Sequence, residues 1–148
     1  MVPGPAGFPL SRAVRVGDTL YVSGNFGWDA ANSRVVPGGA AAETRQTLEN
    51  MGKVLRQAGS SFDKVVKTTV MRHTSTYLSY LPYILISTLV QVWLTHYEQD
   101  IAEVNRVYAT FFDSRHYPAR AAYGVSALPA GARVEIEAVA IVGDIIDV

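Results

Sequence analysis

One stretch decides the fold: Ala13-Val-Arg-Val-Gly-Asp-Thr-Leu-Tyr-Val-Ser-Gly24. Two short runs rich in β-branched residues alternate in polarity, which suits strands with one buried face, and the Gly17-Asp18 pair between them is typical of a tight turn. The stretch therefore predicts a β-hairpin over residues 13–23. The run Gly24-Asn-Phe-Gly27 is expected to end or bend its second strand.

Two helices and three more strands are expected after the hairpin. The first helix, over residues 40–58, carries its apolar side chains on one face and stops at Gly59. The second has the same spacing in Ile101, Val104, Tyr108 and Phe111. Strands are predicted over residues 65–70, 121–125 and 134–142. This order is typical of an α+β sandwich, in which a single mixed sheet packs two helices on one face.

The composition narrows the function classes. A chain of 148 residues fits one domain, and thirteen basic residues balance thirteen acidic ones, which disfavours a non-specific binder of nucleic acid. The absence of cysteine excludes thiol nucleophiles, disulfides and cysteine-containing zinc sites. The three histidines are scattered, so no metal site is expected. The first ten residues resemble no secretory or mitochondrial signal, so we expect a cytoplasmic protein and leave a mitochondrial location open.

Six further blocks follow the hairpin: Val35-Val-Pro-Gly-Gly39, Thr44-Arg-Gln-Thr-Leu-Glu-Asn50, Val65-Val-Lys-Thr-Thr-Val70, Val104-Asn-Arg-Val-Tyr108, Pro118-Ala-Arg120 and Val134-Glu-Ile-Glu-Ala138. Together with the hairpin they resemble, in the same order, the RidA/YjgF family of reactive-intermediate deaminases. The resemblance covers most of the chain except residues 71 to about 93. Each block alone is weak, but the series is highly specific.

The resemblance implies a chorismate-mutase-like fold and a homotrimer with small-molecule sites between subunits. It also implies hydrolysis of enamines and imines, such as those derived from 2-aminoacrylate, to 2-keto acids and ammonia without a cofactor. By position, the site residues are Arg120, Glu135, Ser23 and Asn105, with backbone near Gly24 and Ala122. The chain departs from the family at two places. Leu10 stands where the family has a tyrosine, and Ala122 where it often has a cysteine.

The residue types fit this chemistry. A guanidinium such as that of Arg120 can hold the planar carboxylate of a 2-imino acid through two parallel hydrogen bonds. Glu135 could deprotonate the attacking water and then help ammonia leave. Glu137 is two residues further along the strand and is expected to face the same side, so the two carboxylates must differ in depth. Ser23 and Asn105 are predicted to be supporting polar groups.

Other interpretations of these residues stay open. Arg120 could be an ordinary exposed arginine, and the two glutamates could be solvated strand residues. Ser23 could bond only to backbone, while Asn105, taken as a buried amide in an apolar stripe, could cap a loop or face a cleft. A non-catalytic module that binds a small ligand or a protein is therefore the alternative function. Ribonuclease or translation-inhibitor activity is a further alternative, but there is no basic patch with interleaved aromatics to favour it.

The 25 residues between Arg72 and Glu98 carry no charge. The resemblance implies an insertion of about 22 residues here, at about 71–93, within a core strand, where added length is poorly tolerated. Residues 1–148 are thus predicted to form one interrupted domain. The segment could add a helix or a strand pair, or it could be a gene-model artefact. Residues 77–94 make a poor membrane span because they include polar residues and Pro82.

Overall fold

The computed structural model describes residues 1–73 and 100–143. Its strands are β1 (Val2–Pro3), β2 (Ser11–Val16), β3 (Thr19–Phe26), β4 (Trp28–Asp29), β5 (Arg34–Val35), β6 (Val65–His73), β7 (Ala119–Val125) and β8 (Val134–Ile141). The helices are α1 (Gly39–Gln57) and α2, of which residues 100–108 are described, and short 3-10 turns cover Phe62–Lys64, Ala109–Phe111 and Pro129–Gly131.

Within residues 1–73 and 100–143, six strands form one mixed sheet in the order β1-β2-β3-β8-β6-β7, and of these pairs only β6–β7 is parallel. Both helices cover the same face of this sheet, because Leu48 and Met51 of α1 and Val104 of α2 belong to one buried cluster with Val70 and Ile136 of the strands. The predicted α+β sandwich with two helices on one face is therefore confirmed.

The hairpin of β2 and β3 turns at Gly17, as predicted, and Gly17 adopts a positive φ of 58°. Farther along β3, the pairing with β8 shifts, since Val22 pairs with Ala138 while Asn25 pairs with Ile136. Three residue steps on β3 therefore face two on β8, which defines a β-bulge. The run Gly24-Asn-Phe-Gly27 is predicted to end or bend this strand. The strand bends at the bulge and continues to Phe26.

The predicted stop of the first helix is also confirmed. Gly59 has a φ of 78°, its N–H donates to the Arg56 carbonyl at 3.1 Å, and the Ser60 N–H donates to the Leu55 carbonyl at 2.9 Å. This pair of hydrogen bonds is the Schellman motif, which requires a left-handed residue that glycine adopts without strain.

Three short strands were not predicted. β1 consists of two residues, and β4 and β5 pair as a separate small hairpin within residues 28–36, for which the sequence predicts only irregular or extended chain. The Asp29 carboxylate accepts hydrogen bonds from the backbone of Ala31 and Asn32 and so stabilises the turn between β4 and β5.

The predicted insertion begins inside the sheet. β6 runs through His73, and Met71 pairs with Glu135 on one side and with Tyr123 on the other. Residues 71–73 are therefore ordinary ladder residues, and the rest of the predicted insertion lies outside the described residues. Among helices in residues 1–73 and 100–143, none is long and apolar enough to span a membrane.

Candidate active site

The β3 bulge brings together three of the predicted site residues, Ser23, Gly24 and Glu135, which we call the Glu135 group. Phe26 pairs with Glu135 across β3 and β8, and the α-carbon of Gly24 packs against the Glu135 side chain. The Ser23 hydroxyl donates to the Ser11 carbonyl at 2.7 Å, as the backbone-bonding interpretation predicts. Its oxygen keeps the capacity to accept a hydrogen bond from a ligand.

Burial gives the Glu135 carboxylate the character of a base. Glu135 is half-buried, while Glu137 on the same face is exposed, so the expected difference in depth is present. Burial raises the pKa of Glu135, and the like charge of Glu137 raises it further. A carboxylate with a raised pKa binds a proton more firmly when it takes one from water, as a general base must.

A second set, the Arg120 group, consists of Asn105, Tyr108 and Arg120. Arg120 lies on β7 beside Thr68 of β6. Its Nη1 donates to the Asn105 Oδ1 at 2.7 Å, and its Cζ lies 4.4 Å from the centroid of the Tyr108 ring. Ala122 follows two residues later on β7, on the same side of the strand, and is exposed.

Two donors of the Arg120 guanidinium are left without a partner by the described part of the chain. Its Nε and Nη2 atoms are buried and have no hydrogen-bond partner among the residues that the structure describes. Burial lowers the pKa of Arg120, although a guanidinium remains a cation at neutral pH. Because a buried donor without a partner costs free energy, the Nε–Nη2 edge is suited to a planar carboxylate that accepts from both atoms.

The sheet separates the two groups within one chain. Arg120 of β7 pairs with Thr68 of β6, which in turn pairs with Ala138 of β8. The side chains of Thr68 and Ala138 are buried beneath the helices. Glu135 is an odd number of residues from Ala138, and the burial of β8 alternates, so its side chain faces the opposite side of the sheet. Arg120 and Glu135 therefore do not share a cleft formed by one chain.

Two features of the site differ from what the sequence predicts. Asn105 is exposed rather than buried, because it lies at the flank of the apolar stripe, where it meets Arg120. Tyr108 is buried, as a core residue of the stripe should be, but it also contacts Arg120. The spacing of Asn105 and Tyr108, three residues apart on one helix, is the only sequence signal that places both beside the same partner.

The sequence matches the family model described as endoribonuclease L-PSP over residues 3–77 and 88–142. It is 43% identical over 141 residues to human 2-iminobutanoate/2-iminopropanoate deaminase, covering 95% of this chain and 85% of that protein. The fold is similar to RidA from an Antarctic Psychrobacter, with a TM-score of 0.70, 32% identity and coverage of 95% and 93%. It is also similar to E. coli TdcF with bound serine, with a TM-score of 0.70, 27% identity and coverage of 95% and 92%.

Proposed function

The chain belongs to the RidA/YjgF family, and on this basis we propose that it hydrolyses 2-imino acids and their enamine tautomers to 2-keto acids and ammonia. The observation that carries the proposal is the buried Nε–Nη2 edge of Arg120, which has no partner in the described structure and matches a substrate carboxylate. A relative that is 43% identical carries the name of this activity, 2-iminobutanoate/2-iminopropanoate deaminase.

Arg120 would bind the substrate and fix its reacting carbon. Two parallel hydrogen bonds from Nε and Nη2 hold the carboxylate in the plane of the guanidinium, and Asn105 already occupies Nη1. The imine carbon is bonded directly to that carboxylate, so its position is fixed as well. A lysine in place of Arg120 would supply a point charge without the fork and would leave the imine free to rotate.

Glu135 would transfer the protons. Its carboxylate takes a proton from water while the water oxygen bonds to the imine carbon, and the C=N electron pair moves to nitrogen, which is protonated from solvent. Glu135 then returns its proton to the amino group of the tetrahedral intermediate. The C–N bond breaks, ammonia leaves, and loss of the hydroxyl proton completes the carbonyl. Water and proton transfer complete the reaction, so we propose no cofactor and no metal.

The complete site is proposed to lie between subunits of a homotrimer. The Glu135 group and the Arg120 group are on opposite faces of one sheet, so a second copy of the chain must supply one of them. The face opposite the helices exposes Val14, Tyr21 and Tyr123, and it carries an open groove of about 410 Å³. These exposed apolar side chains are suited to burial against another subunit.

Ammonia release from enzymatically generated 2-aminoacrylate tests the function. We expect the wild type to release ammonia faster than the uncatalysed reaction, and Arg120→Ala and Glu135→Gln to lose most of that acceleration. Arg115→Ala is the matched control, because Arg115 is exposed and its guanidinium pairs with Asp113. A wild-type protein no faster than Arg120→Ala would overturn the proposal.

A non-catalytic ligand-binding role is the second candidate, and two positions favour it. Leu10 and Ala122 carry no hydroxyl or thiol at the positions where the family has a tyrosine and often a cysteine, and Ala122 is exposed two residues after Arg120. Binding of a 2-keto acid without turnover, lost in Arg120→Ala but kept in Glu135→Gln, would support this role. The description of the family model also names ribonuclease activity, which the zero formal net charge disfavours.

A further inference from the structure

Tyr108 connects the helix layer to the Arg120 guanidinium. Its hydroxyl lies 2.8 Å from the Thr68 Oγ1, within hydrogen-bond distance, and Thr68 is the residue beside Arg120 in the parallel ladder. Its ring stacks on Phe112, with centroids 4.5 Å apart and an interplanar angle of 28°. Arg120 Cζ lies 4.4 Å from the same ring centroid.

The ring is therefore held at its hydroxyl end and on one face. Phe112 stacks on this ring, and the Arg120 guanidinium also lies over it. Tyr108 is only 4% exposed, and a ring packed this tightly has little freedom to tilt. The ring gives the guanidinium a fixed surface on which to lie.

We propose that Tyr108 is a positioning residue that sets the orientation of the Arg120 guanidinium and thereby presents its Nε–Nη2 edge to the substrate carboxylate. The hydrogen bond to Asn105 fixes only the Nη1 end, and the guanidinium could still turn about that contact. The aromatic face removes this freedom through the attraction between a cation and the ring. The inference rests on the proposed function, because it takes the Nε–Nη2 edge of Arg120 as the group that binds the substrate carboxylate.

Steady-state kinetics with 2-iminobutanoate tests the role. We expect Tyr108→Leu to raise KM about tenfold, within the range that a partly desolvated cation–ring contact supports, and to change kcat less. Tyr108→Phe keeps the ring and should stay within about threefold of the wild-type KM. Phe112→Leu is the matched control, since it removes a ring from the same aromatic cluster and leaves the Tyr108 ring in place.

A double-mutant cycle separates positioning from general packing. In the Arg120→Ala background, Tyr108→Leu should lower ligand affinity no further, because the group that it orients is gone. Thermal unfolding of each variant is measured in parallel. A KM that rises equally in Tyr108→Leu and Phe112→Leu, or an equal loss with and without Arg120, would overturn the proposal.

The NMR signal of the Arg120 Nε–H provides a readout that needs no turnover. The ring current of Tyr108 should shift this signal in the wild type and in Tyr108→Phe, and Tyr108→Leu should abolish the shift. Titration with 2-oxobutanoate, a product carboxylate, should move the signal at lower concentration in the wild type than in Tyr108→Leu. If Tyr108→Leu does not fold, Tyr108→Met tests the same contact, because it fills the space with an unbranched apolar side chain and removes the aromatic face beneath Arg120.

The outcomes distinguish the two proposals. A protein without deaminase activity, whose Nε–H signal still depends on Tyr108 and responds to the 2-oxobutanoate carboxylate, would overturn the deaminase function and support the positioning role. An active deaminase in which Tyr108→Leu, or Tyr108→Met in its place, leaves both KM and the Nε–H signal unchanged would overturn the positioning role alone.

Discussion

The α-carbon of Gly24 packs so closely against Glu135 that a methyl group at residue 24 would overlap the Oε1 and Cδ atoms of the carboxyl group. The φ of Gly24 lies outside the positive region that favours glycine, so the absence of a side chain matters here rather than conformational freedom. The bulge in β3 creates this contact, because it moves residue 24 out of the regular ladder and toward the end of β8.

Gly24→Ala should therefore displace the proposed base. We expect kcat to fall about 10- to 100-fold, as small displacements of reacting groups commonly cause, and the thermal unfolding midpoint to change little. Gly17→Ala is the control: its φ of 58° makes alanine strained, but nothing lies within 4 Å of the added methyl group. It should lose about 1 kcal/mol of unfolding free energy with kcat unchanged. An unchanged kcat in Gly24→Ala would contradict the role of Glu135.

Glu137 should control the acid side of the pH profile. Burial and the negative charge of Glu137 raise the pKa of Glu135 above its usual value, and Glu135 must be ionised to act as a base. Glu137→Gln removes one of these causes, so the pKa of Glu135 falls and the acid limb of kcat/KM moves to lower pH. Since Glu137 is exposed, the difference should shrink in about 1 M salt, where the screening length is about 3 Å.

The control for this pH shift is Glu49→Gln, which removes an exposed carboxylate from α1, on the helix side of the sheet. Its acid limb should coincide with that of the wild type. Equal shifts in Glu49→Gln and Glu137→Gln would mean that net charge, rather than the neighbouring carboxylate, sets the profile.

Glu43 should stabilise the chain just before β8. It is buried on α1, and its Oε2 accepts a hydrogen bond from the Arg133 backbone N–H at 2.6 Å, just before the strand that carries Glu135. Glu43→Ala removes this acceptor and should cost about 1–3 kcal/mol of unfolding free energy. Glu43→Gln keeps an acceptor oxygen and should cost less.

The pH dependence of stability separates these two variants. Burial raises the pKa of Glu43, so the folded state binds more protons than the unfolded state between the ordinary and the raised values. The wild type therefore loses stability as pH rises through this window, and Glu43→Gln does not. Denaturant unfolding at pH about 4 and 7 should show that the free energy of unfolding of Glu43→Gln rises relative to that of the wild type at the higher pH. The same difference in unfolding free energy between the two proteins at both pH values would contradict a raised pKa of Glu43.

The local structure was predictable where a short repeating pattern specifies it. The hairpin at Gly17 and the helix stop at Gly59 depend on a few adjacent residues, and the apolar side chains from Leu48 to Leu55 of α1 recur at helical spacing. The two-residue strands β1, β4 and β5 are too short to show a period. They form because the rest of the chain supplies a backbone partner, which no local pattern reveals.

The site was predictable in its residues and only partly in its arrangement. The family resemblance identifies Arg120 and Glu135, but the faces on which they lie depend on the register of β7 with β6 and of β6 with β8. Register is a long-range property, and a shift of one residue would reverse the face. The contact between Tyr108 and Arg120 is also long-range, since it joins α2 to an edge strand.

Mixing two inactive variants tests whether the site spans two subunits. Arg120→Ala retains the Glu135 group, and Glu135→Gln retains the Arg120 group, so neither should be active alone. If each site takes Arg120 from one subunit and Glu135 from its neighbour, random assembly of equal amounts makes about a quarter of the sites intact. Ammonia release should then recover to about a quarter of the wild-type rate per subunit after the variants are refolded together.

Refolding the wild type with the double variant Arg120→Ala/Glu135→Gln gives an independent measure. A site between subunits needs two neighbouring wild-type chains, so equal amounts should again leave about a quarter of the activity, whereas a site within one chain would leave about half. The opposite faces of Arg120 and Glu135 predict the lower value. Recovery of no activity from the two single variants, together with half activity in this mixture, would mean that one chain brings both residues together and that the sheet does not separate them.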